Sequence, residues 1–132
     1  MIKQAIRKTF MAGIAAMVLQ ASPQSVWDGV YTDEQATRGG EAFAKSCAGC
    51  HDLTGEFTGT AFMNMWKGQS AFDLFEKMRT EMPMDNPGSL TQQNYVDVVS
   101  FFFKSNSFPA GKAELAAKDD TLKLIKIEPK SR

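Results

Sequence analysis

A chain of 132 residues suits one domain, and 43% hydrophobic with 23% charged residues is an ordinary globular balance. Fifteen cationic side chains face fifteen anionic ones, so there is no basic excess of the kind that marks a nucleic-acid partner. Ten Phe and eight Met are many for this length. They make a core of large, polarisable side chains, which also suits a flat apolar ligand.

Lys3, Arg7 and Lys8 precede the uncharged run FMAGIAAMVL, residues 10–19. That run is shorter than the roughly 20 apolar residues a membrane-spanning helix needs, and the positive-then-apolar order is that of a secretory signal. The competing reading is an amphipathic or core helix. We expect a signal peptide over residues 1–22 and a folded domain over residues 23–132. Ala21, Ser22 and Ser25 are the small residues available near the cleavage point. Without its three N-terminal cations the chain holds 12 positive against 15 negative side chains, a net charge of −3. No second long apolar run follows, so the processed protein is not expected to insert stably into a membrane.

Three helices are predicted next. TDEQATRGGEAFAKSC opens on Thr32 with Gln35 three positions on, a capping box, and Asp33 and Glu34 suit the positive end of a helix dipole. Ala36, Gly39, Gly40, Phe43 and Cys47 fall on one face. Two glycines inside a helix cost about 1 kcal/mol each relative to Ala, so another element or a ligand is expected to approach closely there. SAFDLFEKMRTEM starts on Ser70 and Asp73, carries Ala71, Leu74, Phe75 and Met78 as its stripe, and stops at Pro83. MPMDNPGS is a turn-rich loop. The third helix runs from Leu90 or Thr91 to Ser105, with Tyr95, Val98, Val99 and Phe102 at i, i+3, i+4 and i+7. The tail LKLIKIEPKSR reads as a short helix or an extended surface segment.

Both cysteines and the only histidine lie within Cys47-Ala-Gly-Cys50-His51. C-x-x-C alone admits a redox pair, half of a zinc site or a disulfide. A zinc site of that kind needs a second pair, and no further cysteine exists; a thioredoxin-like protein needs surrounding strands, and none are readable. With the histidine the motif is C-x-x-C-H, the attachment sequence of c-type haem. Each thiol adds to one haem vinyl group, and the next residue offers its imidazole to the iron. A distal ligand completes the arrangement, and methionine is the natural candidate where no other histidine exists. Met82, in EMPMDNPG, lies 31 residues after His51, with Met84 as its competitor. Met63, Met65 and Met78 read as core or surface.

These residues resemble the class I cytochrome c family, most closely the small cytochromes that serve periplasmic dehydrogenases. The resemblance spans roughly residues 27–127, through WDGVYTDEQATRGGEAFAKSCAGCH, LFEKMRTEMP, PGSLTQQNYVDVVSFF and NSFPAGKAEL. It implies an all-α fold, a small cytochrome c of three to four helices wrapped around one covalently bound haem c. It implies Cys47 and Cys50 as the thioether positions, and His51 and Met82 as axial iron ligands, since the family's ligating methionine directly precedes a proline. It also implies a crossing of first and last core helices at Gly39 and Phe43, facing Phe101 or Phe102.

The implied role is a non-enzymatic periplasmic electron carrier between redox partner proteins, a dehydrogenase donor and an oxidase or other acceptor, with no nucleic acid. Alternatives are a haem subunit of a larger dehydrogenase complex, or an open-site sensor or peroxidase. Trp66 is read equally as a donor to a haem propionate and as core, and Arg79 as a solvated helix charge. One feature departs from the family: HDLTGEFTGTAF lacks the proline whose carbonyl usually receives the proximal histidine's hydrogen bond. A backbone carbonyl near Gly55 or Glu56 is the expected substitute.

Overall fold

The structure, a computed structural model, describes residues 22–132. The expected signal peptide therefore lies outside the described residues, except for Ser22. Thr32 has extended backbone, and its hydroxyl accepts the Gln35 N–H at 3.2 Å, which opens α1 (Asp33–Ser46). Gln35 does not close the capping box. Its buried amide turns to the C-terminal segment, donating to the Leu115 carbonyl at 2.9 Å and accepting the Leu115 N–H at 2.7 Å. A buried backbone pair needs both partners, and that demand overrides the local bond.

After α1 come α2 (Leu53–Glu56), α3 (Gly59–Trp66), α4 (Ala71–Glu81), α5 (Gln92–Ser105) and α6 (Asp119–Lys123). The all-α fold class holds, and α1, α4 and α5 lie where the periodicity predicts them. The count exceeds three to four because α2 and α3 also form. Both are short, and Thr58 caps α3 with no side-chain hydrogen bond, so packing of Phe62 and Trp66 holds α3 rather than a local signal. α4 does carry a full capping box, with Ser70 and Asp73 bonded reciprocally.

The centre of the fold is the crossing of α1 and α5. Gly39 lies so close to α5 that a Cβ there would overlap the Asp97 carbonyl and come within 2.9 Å of the Phe101 Cβ. The glycine is therefore required by the approach of the two backbones, and Phe101 is the aromatic that faces it. Phe102 turns inward to Phe43, at a ring separation of 5.7 Å. Asp97, buried beside the crossing, receives a two-point fork from Arg38, at 3.1 and 3.3 Å, and the Gln93 amide at 2.7 Å. These donors satisfy a carboxylate that burial would otherwise penalise.

The tail is part helix and part extended, but the extended part is not a surface segment, since Ile125 and Ile127 are buried in the core. α6 buries Leu122, and strand β2 (Ile125–Lys126) then pairs in parallel with β1 (Gln24–Ser25), in the register Gln24 to Ile125. Ile127 is held on both sides of its peptide by the 68–69 turn, donating to the Gln69 carbonyl and accepting the Gly68 N–H, each at 2.8 Å. Trp27 closes this end by donating from its indole to the Glu128 carbonyl at 2.8 Å. Among the described residues no helix is long and apolar enough to cross a membrane.

Candidate functional site

The chain leaves α1 through a tight turn. The Cys47 and Ala48 N–H groups both donate to the Phe43 carbonyl, at 2.8 and 2.9 Å. The Cys50 and His51 N–H groups then both donate to the Cys47 carbonyl, at 3.1 and 3.0 Å. The turn thus gathers the two cysteines and the histidine around one carbonyl. Both thiols are free; Cys47 is half-buried and Cys50 exposed. Burial pushes the Cys47 thiol above its ordinary pKa.

His51 is braced on two sides. Its side chain is 26% exposed, and its ring meets Phe57 edge-on at a centroid distance of 5.3 Å. Phe57 stacks flat on Phe102 of α5, at 4.7 Å and 8°. Asn106, just past α5, locks this arrangement: its amide donates to the Phe57 and Phe102 carbonyls at 2.9 and 2.8 Å, and its oxygen accepts the Gly59 N–H at 2.9 Å.

The histidine's Nδ1 lies 2.9 Å from Glu56 Oε2. The acceptor is therefore the Glu56 carboxylate and not the backbone carbonyl expected near Gly55 or Glu56. Its other oxygen accepts the Asp52 N–H at 3.0 Å. The Asp52 N–H first, and the His51 ring second, hold the Glu56 carboxyl below the usual carboxylate range. Asp52 caps α2 with its own carboxylate, accepting the Thr54 and Gly55 N–H groups at 3.3 and 3.2 Å. The cap curls residues 52–56 so that Glu56 returns to the histidine.

Met82 lies at the C-terminal end of α4 and is anchored to α5. It ends α4 in extended geometry (φ −127°, ψ 151°), as a residue before proline should. Its carbonyl accepts the Tyr95 hydroxyl at 2.6 Å and the Gly88 N–H at 3.3 Å. Its side chain is half-buried, whereas Met84 is 79% exposed. Met63 and Met78 pack against the core, and Met65 is exposed. Tyr95 holds Met82, and Phe102 holds His51 through Phe57. These two α5 residues are seven positions apart, on one helix face and about 10 Å along the axis. No hydrogen bond joins the 82–88 loop directly to the 47–51 turn among the described residues.

Trp66 belongs to the core, yet its buried indole N–H has no acceptor among the described residues. An orphaned buried donor costs about 1–3 kcal/mol, and a group that brings its own acceptor oxygens fits it, as the propionates of a haem would. Arg79 pairs with Glu76 through its Nε at 3.0 Å, in keeping with its reading as a helix-surface charge. The Glu56 carboxylate, the Tyr95 hydroxyl and the Asn106 amide are the site groups whose roles sequence reasoning misses. The signal for Glu56 is a carboxylate one turn beyond a capping Asp52; Tyr95 and Asn106 leave no local trace.

The family model described as cytochrome c oxidase, cbb3-type, subunit III matches residues 34–102, just over half of the chain. The match runs from the first turn of α1 through the 47–51 turn and the Met82 loop into α5. Neither a curated protein nor a solved structure is matched by the chain. The chain therefore belongs to the c-type cytochrome family that this model describes, and haem-based electron transfer is the function that membership brings.

Proposed function

We propose that this protein is a periplasmic one-electron carrier with a single haem c, joined by thioethers at Cys47 and Cys50 and ligated by His51 and Met82. The observation that carries this reading is the anchoring of His51 and Met82 to one face of α5, through Phe57–Phe102 and through Tyr95. Two ligands braced on one rigid helix keep their positions in both oxidation states, which favours fast exchange of one electron. Bound haem supplies the cycling between Fe(III) and Fe(II). His51 offers Nε2, because Nδ1 is taken up by Glu56. Trp66 is the donor for a propionate.

Export rests on Lys3, Arg7 and Lys8 ahead of the apolar run, and the donor and acceptor are redox proteins, a dehydrogenase on one side and an oxidase or similar acceptor on the other. A second reading, a haem subunit of a larger complex, is favoured by the family model, whose description is that of an oxidase subunit. Isolation from the native host separates the two: a free carrier elutes alone, a subunit with its partners.

The test of the main reading is extraction of the denatured chain with acid and organic solvent, followed by optical spectra of the native protein with and without carbon monoxide. Haem that stays on the chain, and a ferrous spectrum unmoved by carbon monoxide, are expected. Haem that leaves with the solvent rejects the covalent site, and a ferrous spectrum that responds to carbon monoxide rejects the Met82 ligand.

A further inference from the structure

We infer that Glu56 is a positioning residue for the haem iron: its carboxylate receives the Nδ1–H of His51 and holds the reduction potential low. The inference rests on the proposed ligation by His51. The carboxylate is held at two points. Glu56 Oε2 lies 2.9 Å from His51 Nδ1, and Oε1 accepts the Asp52 N–H at 3.0 Å. Each oxygen thus has its own partner, and the carboxylate cannot rotate away without losing both. The Asp52 cap on α2 fixes the turn that delivers it. Phe57 closes the imidazole's other side at 5.3 Å.

An ordinary surface ion pair has neither feature, and exposed pairs are worth little. Here the ring is braced and the pairing oxygen is aimed. With Nδ1 engaged, Nε2 is the nitrogen left for a metal, so Glu56 also selects the tautomer. A carboxylate differs from a backbone carbonyl in carrying a full negative charge. It draws the Nδ1 proton toward itself and gives the imidazole more anionic character. A more anionic ligand stabilises Fe(III) over Fe(II), so the potential falls. The Glu56 side chain is 46% exposed, and solvent screening moderates the effect.

The test uses the covalently loaded protein and the variants Glu56→Gln and Glu56→Ala. Glutamine keeps an acceptor for Nδ1–H and removes the charge; alanine removes both. Spectroelectrochemical titration should show a severalfold larger Fe(II)/Fe(III) ratio for Glu56→Gln at the wild-type midpoint, with the axial spectrum unchanged. In a Met82→Ala background, the iron–histidine stretch of the ferrous protein reports the anionic character of the imidazole directly. It should fall in Glu56→Gln and fall further in Glu56→Ala. If potential and stretch both stay at wild-type values while haem remains covalent and His51-ligated, Glu56 is only a surface charge and the inference is overturned, with the ligand assignment standing. If the wild-type chain holds no covalent haem, or His51 is not its ligand, the underlying reading is overturned as well.

Discussion

Gly39 of α1 and Asp97 of α5 meet backbone to backbone: a Cβ on the glycine would occupy the place of the Asp97 carbonyl. The neighbouring glycine is different. A Cβ at Gly40 would sit 3.2 Å from the edge of the Phe101 ring, which is a side chain able to yield by a few tenths of an ångström. Gly39→Ala must push the helices apart and should cost about 1–3 kcal/mol or more. Gly40→Ala gains about 1 kcal/mol of helix propensity against a small clash and should be close to neutral. Chemical denaturation of the two variants decides it; equal losses would mean that the crossing is not the reason for the glycine pair.

Met82 and Met84 separate in the same way, by where the chain holds them. Met82→Ala should open the ferrous iron to carbon monoxide and lower the potential, because a thioether favours Fe(II). Met84→Ala, at a 79% exposed position, should change neither. Tyr95→Phe removes the 2.6 Å bond to the Met82 carbonyl and should speed carbon monoxide entry while leaving the resting spectrum six-coordinate. Optical titration with the gas measures all three. A Met84 variant that opens the iron, with Met82→Ala unaffected, would reverse the assignment.

Tyr31 titrates late. Its hydroxyl donates to the Phe108 carbonyl at 2.6 Å, and burial first, then the Asp33 charge, push its pKa from 10.0 to about 12. The folded state therefore holds the phenol proton more tightly than the unfolded state. The stability this contributes is fully present below pH 10 and is lost as pH rises through about 12. Tyr31→Phe loses the hydrogen bond, about 0.5–1.5 kcal/mol at neutral pH, and should show a shallower decline above pH 10. Denaturation midpoints of both proteins across that range test it; parallel curves would place the alkaline transition elsewhere.

Arg38 and Asp97 form a charged fork across the helix crossing, at 3.1 and 3.3 Å. Arg38→Ala strands a buried carboxylate with Gln93 as its remaining side-chain donor, and should cost about 1–3 kcal/mol. Because the arginine is itself half-exposed, its loss alone removes little packing. The double variant Arg38→Ala, Asp97→Ala should therefore cost less than the sum of the single changes. Additive losses from a double-mutant cycle would show that the pair is not coupled.

Local chemistry by itself determined most of the identity of this protein. Cys47, Cys50 and His51 form their motif through adjacency, and adjacency is written directly in the chain. Thr32, Ser70 and the residues preceding Pro83 are capped or stopped by atoms a few positions away, so α1, α4 and Met82's extended backbone were legible there. The long stripes of α1 and α5 were readable because period 3.6 is a property of the chain itself.

Tertiary structure decided what depends on competition between distant partners. Gln35 has the spacing for a capping box, yet it bonds Leu115, eighty positions away, because a buried peptide there has no other partner. The tail was ambiguous alone and became helix and strand only where β1 and the 68–69 turn offered hydrogen bonds. α3 lacks a side-chain cap and is held by its buried Phe62 and Trp66. At the site, sequence singled out His51 but placed the acceptor of its hydrogen bond on the backbone. The fold put the Glu56 carboxylate there instead, because a side chain's reach is set by the turn that carries it, and that turn exists only once Asp52 has capped α2.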